Sequence, residues 1–81
     1  LTISELAGAL REVNDTLEQA RAMTSTAVPL LAESRAALLV IGQGPNGYHP
    51  GELDLAMSQL GTAGELIARA RQSIMDYLMR L

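Results

Sequence analysis

Four of the seven glycines and two of the three prolines in this 81-residue chain fall inside one stretch, Gly42-Gln43-Gly44-Pro45-Asn46-Gly47-Tyr48-His49-Pro50-Gly51. A regular helix or strand does not run through such a density of breakers, because glycine frees the backbone while proline fixes φ and removes a donor. The stretch divides the chain into two long Ala/Leu-rich segments. These fold on either side of it and meet across it.

The first segment opens with Thr2-Ile3-Ser4-Glu5, the spacing of a capping box, which sets a helix start there. From Ile3 the stripe continues through Leu6, Leu10, Val13, Leu17, Ala20, Thr24, Ala27, Leu31, Ser34, Leu38 and Ile41, an unbroken 3-4 alternation that keeps one seam toward a partner helix. It predicts a helix over about 3–42. Ala7, Ala9, Met23, Val28, Leu30 and Ala37 widen the apolar face beyond what a single partner helix covers. The opposite face, with Glu5, Arg11, Glu12, Asp15, Glu18, Glu33 and Ala36, reads as ordinary solvated surface without an ion-pair network. Pro29 removes one interior hydrogen bond at a cost of about 3 kcal/mol. It falls on the outermost position relative to the seam, so a bend that spares the seam is expected, with two helices broken near Thr26 as the alternative.

In the second segment Pro50 is preset for the first helical position and Glu52 favours the positive end of the helix dipole. The expectation is a loop over 43–49, His49 as N-cap, and a second helix over about 50–81. Its stripe is Leu53, Ala56, Leu60, Ala63, Ile67, Ala70, Ile74, Tyr77 and Leu81. Gly61 and Gly64 each cost about 1 kcal/mol of helix propensity relative to alanine, which points to close packing of the two helices. Folded back with Ile41 beside Leu53, the second helix ends opposite Val13 and leaves Ile3, Leu6 and Leu10 overhanging.

The expected fold is all-α, an antiparallel two-helix hairpin. With the stripes engaged in each other, Met23, Val28, Leu30, Met57, Leu66 and Leu78 lie on the flanks, and Met75 and Met79 also sit off the seam. Burial of a large apolar side chain is worth about 1.5–3 kcal/mol. A homodimer closing into a four-helix bundle through those six flank residues is therefore expected.

The same residues limit the chemistry. Gly42-Gln43-Gly44-Pro45-Asn46-Gly47 matches the spacing of a dinucleotide-binding loop, but that motif joins a strand to a helix, and here the preceding run continues a helical stripe. A hairpin connection is expected instead. A net charge of −3 and only two aromatics, Tyr48 and Tyr77, argue against nucleic acid. There is no cysteine and one histidine, so no metal site or cofactor is expected. His49 has no readable nucleophile or carboxylate partner, and the chain reads as non-enzymatic. The charge-free runs Ala22–Ala32 and Ala36–Gly51 are interrupted and fall short of the roughly 18 apolar residues that span a bilayer, so no membrane span is expected. No cleavable signal peptide is visible, which leaves a cytoplasmic location or export without one. With no initiator Met and a last residue inside the helical pattern, a segment of a longer protein is expected.

Two long helices, a Gly-containing loop, a heptad seam and an acidic balance resemble the helical hairpins of the Trp-X-Gly superfamily exported by type VII secretion. Asn46-Gly47-Tyr48 stands where that family has its motif, without the tryptophan, and Tyr77 is followed by Leu81 where the export signal has an acid. Gly47-Tyr48-His49-Pro50 and Tyr77-Leu78 are similar to N-terminal domains of actinobacterial polymorphic toxins. All six cations are arginine, which fits GC-rich coding. The resemblance implies a secretion or trafficking domain whose partner is a secretion-system component or a fused toxin domain. A stand-alone oligomerisation scaffold is the alternative.

Overall fold

The computed structural model describes residues 1–42 and 49–81. Among these residues the chain forms two helices and no strand: α1 over Ile3–Ile41 and α2 over Gly51–Arg80. The connection at 43–48, including the glycine-rich motif beyond Gly42, lies outside the described residues. The segment Ala37–Ile41 that leads into it is helical, as the stripe requires.

Both helix starts have local causes. Thr2 is extended at φ −85° and ψ 163°, and its hydroxyl oxygen accepts from the Glu5 N–H at 3.0 Å. That is the hydroxyl half of the capping box. At α2 the cap is Pro50, not His49: Pro50 has ψ 54°, outside the helical region, so regular helix begins one residue later at Gly51. His49 is exposed, with its carbonyl accepting from the Gly51 N–H at 2.9 Å. Glu52 and Asp54 occupy the first turn of α2 and Arg80 the last, each on the side the helix dipole favours.

The helix α1 is continuous through Pro29, so the alternative of two shorter helices does not occur. Pro29 is exposed, off the α1–α2 seam at the edge of a cleft shared with α2, where the carbonyl it leaves unpaired can face water. Hydroxyls from Thr16, Thr26 and Ser34 fold back onto the carbonyls four residues earlier. These side chains therefore satisfy themselves within the helix.

The two helices pack antiparallel into a rod of 66 × 16 × 14 Å. Its radius of gyration, 18.9 Å, compares with about 12 Å for a globular domain of this length. Among the described residues only Ala7 and Pro50 are buried, and only Pro50 completely. A two-layer rod has no interior; every contact is a seam.

The seam differs from the expected stripe in a systematic way. On α1 the seam follows the half-buried positions Leu10, Asn14, Leu17, Arg21, Thr24, Val28, Leu31, Arg35 and Leu38, and on α2 Leu53, Met57, Leu60, Gly64, Ile67, Arg71, Ile74 and Leu78; Leu6, Gly8, Glu18, Ala20 and Ala27 of α1 and Asp54 and Ala63 of α2 are half-buried at its edges, so Ala20, Ala27 and Ala63 of the expected stripe keep part of their burial. Every seventh residue of the expected stripe is retained, but its companion lies four residues on, not three. Val13, Ser34 and Ile41 of α1 and Ala56, Ala70 and Tyr77 of α2 are exposed instead. At 100° per residue this is a rotation of about 50° in the same sense on both helices. Its cause is chemical. The rotated seam brings Arg35 onto Asp54 and Arg71 onto Glu18, and places Gly64 where a Cβ would meet Thr24 Oγ1 at 3.2 Å.

Those contacts also correct the register. Facing residues have indices that add to 88 or 89, so α2 reaches the level of Ala7 and Gly8. Leu6 and Leu10, expected to overhang, are half-buried, and Ile3 alone of the three is exposed.

Candidate association surface

The six expected interface residues divide into two sets. Val28, Met57 and Leu78 are half-buried in the α1–α2 seam, where the rotation has drawn them. Met23, Leu30 and Leu66 are 71%, 58% and 55% exposed. The second set belongs to a stripe that the sequence reading did not separate from the first.

On α1 that stripe runs Leu6, Ala9, Val13, Thr16, Ala20, Met23, Ala27, Leu30, Ser34, Ala37, Ile41. It is a second complete 3-4 alternation, carrying no charged residue over eleven positions, and eight of the eleven are exposed. Geometrically it is centred about 110° around α1 from the seam. The matching positions of α2 are Ala56, Gln59, Ala63, Leu66, Ala70, Ser73 and Tyr77, also without charge. Two shallow grooves lie along the α1 stripe, one of about 480 Å³ bordered by Met23, Ala27 and Leu30, the other of about 390 Å³ bordered by Ala9, Val13 and Thr16. Holes between successive turns of this kind are what knobs of a facing helix fill.

The other side of the hairpin is different in character. There a cleft of about 450 Å³ takes Arg21, Ser25 and Pro29 from α1 and Gly61, Glu65 and Ala68 from α2. Because that cleft collects its walls from both helices, the uncharged stripes of α1 and α2 share the opposite face. Glu18 accepts from Arg21 Nε at 2.8 Å and Nη2 at 2.7 Å and from Arg71 across the seam. These hydrogen bonds from Arg21, with the charges of Arg21 and Arg71, hold the Glu18 carboxyl below its ordinary value. The Asp54 carboxyl is lowered by its hydrogen bonds from Arg35 and, more weakly, by the nearby charges of Arg35 and His49. Glu18 is therefore a seam residue rather than part of a plain solvated surface. Spacing of three to Arg21 was the available signal for the first pair; nothing in the sequence announced Arg71 or Asp54.

The total surface area reflects the rod shape. The chain exposes 5969 Å², whereas a compact monomer of 8.6 kDa exposes about 4,700 Å². The surplus, about 1,300 Å², comes from the elongated 66 × 16 × 14 Å shape and is spread over the whole hairpin. By length and composition α1 is also apolar enough to cross a membrane. Its apolar C-terminal half holds Glu33 and Arg35, with Arg35 engaged by Asp54. Among the described residues no group of three or more His, Cys, Asp or Glu is placed to hold a metal ion.

Comparison with known protein families, characterised proteins and solved structures finds no match to this chain.

Proposed function

We propose that this chain is a non-catalytic helical interaction module that assembles as a homodimer into a four-helix bundle. The observation that carries the reading is the uncharged second stripe on α1, exposed along a hairpin whose own seam buries almost nothing completely. A helix at the corner of a four-helix bundle needs two apolar faces roughly at right angles. The two stripes of α1, about 110° apart, meet that requirement.

Sedimentation equilibrium with circular dichroism over a dilution series tests it. The expected result is a dimer at micromolar concentration that loses helix as it dissociates, because folding and assembly are coupled. A monomer that stays fully helical on dilution refutes the proposal.

The biological setting we propose is delivery, as an N-terminal secretion or trafficking domain of an exported or toxin protein. What supports it is the likeness of a two-helix hairpin with Gly47-Tyr48-His49-Pro50 at its connection to such domains. The parent gene is the test. A toxin domain following this segment, or a neighbouring secretion ATPase, is the expected context; a gene with neither returns the chain to a stand-alone scaffold.

A further inference from the structure

We infer that the α1–α2 seam is one of two that these helices can form, and that the ion pairs Arg35–Asp54 and Arg71–Glu18 decide which one is adopted. Loss of their charge turns both helices onto the other seam. The choice is made within one chain, whether or not the chain dimerises.

Three observations converge. The first is that the two seams share their large residues and their register. Leu10, Leu17, Leu31 and Leu38 line the observed seam with Asn14, Arg21, Val28 and Arg35, and equally complete a more apolar seam with Val13, Ala20, Ala27 and Ser34. Thr24 faces Gly64 in the observed seam, at indices that add to 88; facing Ala63, the neighbouring position of the expected α2 stripe, they add to 87, as do Ala27 with Leu60 and Leu17 with Ala70. A change of one in that sum is a slide of about 1.5 Å. The turn of about 50° is therefore made nearly in place, and because the helices are antiparallel, equal turns of the two mesh like gears. The second is that the observed seam encloses Asn14 Oδ1 and Arg71 Nε without hydrogen-bond partners. Both belong to the companion positions that the turn carries toward solvent, so the observed seam holds a cost that the other lacks. The third is where the charges sit. Glu18 accepts from Arg21 and Arg71, and Asp54 accepts from Arg35 with the charge of His49 nearby. These residues lie on the edge of the seam that opens, and the turn moves the cross-helix partners apart. Partly exposed pairs of this kind are individually weak. That weight suffices because the two seams are closely matched: α1 becomes more apolar inward by the turn, whereas α2 gives up Met57 and Leu78 for Ala56 and Tyr77.

Turned, the hairpin takes Val13, Ala20 and Ala27 off its uncharged stripe, so two carboxylates set how much apolar surface it shows. With no native cysteine, cysteine pairs report the seam directly. One heptad from Thr24 and Gly64, Leu31 comes opposite Met57 in the observed seam and opposite Ala56 in the other. Leu31→Cys with Met57→Cys, and Leu31→Cys with Ala56→Cys, are each placed in the full chain, with and without Glu18→Gln and Asp54→Asn, and equilibrated in glutathione buffer, the disulfide within one chain being read by mass. With the native carboxylates the Met57→Cys pair is expected to close in preference. In the neutralised chain the yield ratio is expected to move about tenfold toward the Ala56→Cys pair, as two weak pairs act together.

Glu18→Asp with Asp54→Glu, which keeps both charges, is expected to keep the native preference, and circular dichroism follows helix content throughout. A ratio that neutralisation leaves unchanged overturns the inference. So does a neutralised chain that loses its helix, since the pairs then hold the hairpin together instead of choosing its seam. An equal shift in Glu18→Asp with Asp54→Glu assigns the effect to side-chain length and overturns the role of charge. A monomeric parent that stays helical refutes the association reading and leaves these expectations as they are.

Discussion

Gly61 and Gly64 lie about one turn apart in α2 and carry the same intrinsic cost, yet their surroundings give them opposite roles. A Cβ built at Gly61 meets nothing within 4 Å, whereas at Gly64 it meets Thr24 Oγ1 at 3.2 Å. That oxygen is held in place, since the Thr24 hydroxyl donates to the Arg21 carbonyl at 2.7 Å. Gly61→Ala is therefore expected to gain the full helix-propensity difference, about 0.5–1 kcal/mol. For a chain of this size a gain of 1 kcal/mol raises Tm by about 4–8 °C. Gly64→Ala has the same backbone gain but must push the seam apart by a few tenths of an ångström, so its Tm is expected to stay level or fall. Gly64→Leu overpacks the seam and should cost about 1–3 kcal/mol. Thr24→Ala removes the obstructing oxygen, and in that background Gly64→Ala should recover the gain, a coupling read from the double-mutant cycle. The assay is thermal unfolding followed by circular dichroism at matched chain concentrations, because assembly makes Tm concentration-dependent. Equal stabilisation by Gly61→Ala and Gly64→Ala, with no coupling to Thr24, would refute the register and with it the rotated seam.

Lowering the pH tests the cross-helix pairs. Glu18 and Asp54 have folded values below their ordinary 4.5 and 3.8, so their stabilisation is fully present above about pH 5 and is lost as pH falls through the depressed folded values. Denaturant midpoints should fall through that window, and Glu18→Gln with Asp54→Asn should flatten the loss. Asn14 Oδ1 is enclosed in the seam without a partner; Asn14→Leu is expected to raise stability by about 1–3 kcal/mol in denaturant titration, since an unsatisfied polar group is replaced by an apolar one. Leu66→Glu should shift the population toward monomer and lower the helicity with it in sedimentation and circular dichroism, whereas Glu18→Gln, off the uncharged face, should shift that population far less.

Much of the hairpin was legible in the residues. Thr2 to Glu5 announced the start of α1, the 3-4 alternation announced its length, and the breakers from Gly42 to Gly51 announced the division into two helices. Each of these is a local property: a side chain reaching three residues along, a periodicity repeated within one helix, a backbone that cannot continue. The start of α2 was displaced by one residue because Pro50 can serve as either first turn or cap, and its ψ of 54° belongs to the tight turn in which the Gly51 N–H donates to the His49 carbonyl.

The choice of seam was not legible. Residues such as Leu10, Leu17, Thr24, Leu31 and Leu38 belong equally to a stripe completed by Val13, Ala20 and Ala27 and to one completed by Asn14, Arg21 and Val28. Periodicity alone favours the first, since it is the more apolar. The second is adopted because α2 presents Gly64 to Thr24, Arg71 to Glu18 and Asp54 to Arg35, and none of these pairings exists until the helices are side by side. By taking the more polar stripe inward, the hairpin leaves the more apolar residues of α1 on its surface. The sequence by itself determined that two amphipathic helices must pair; which apolar face was used and which was left over was decided by tertiary contacts between residues as far as 53 positions apart, which no local spacing encodes.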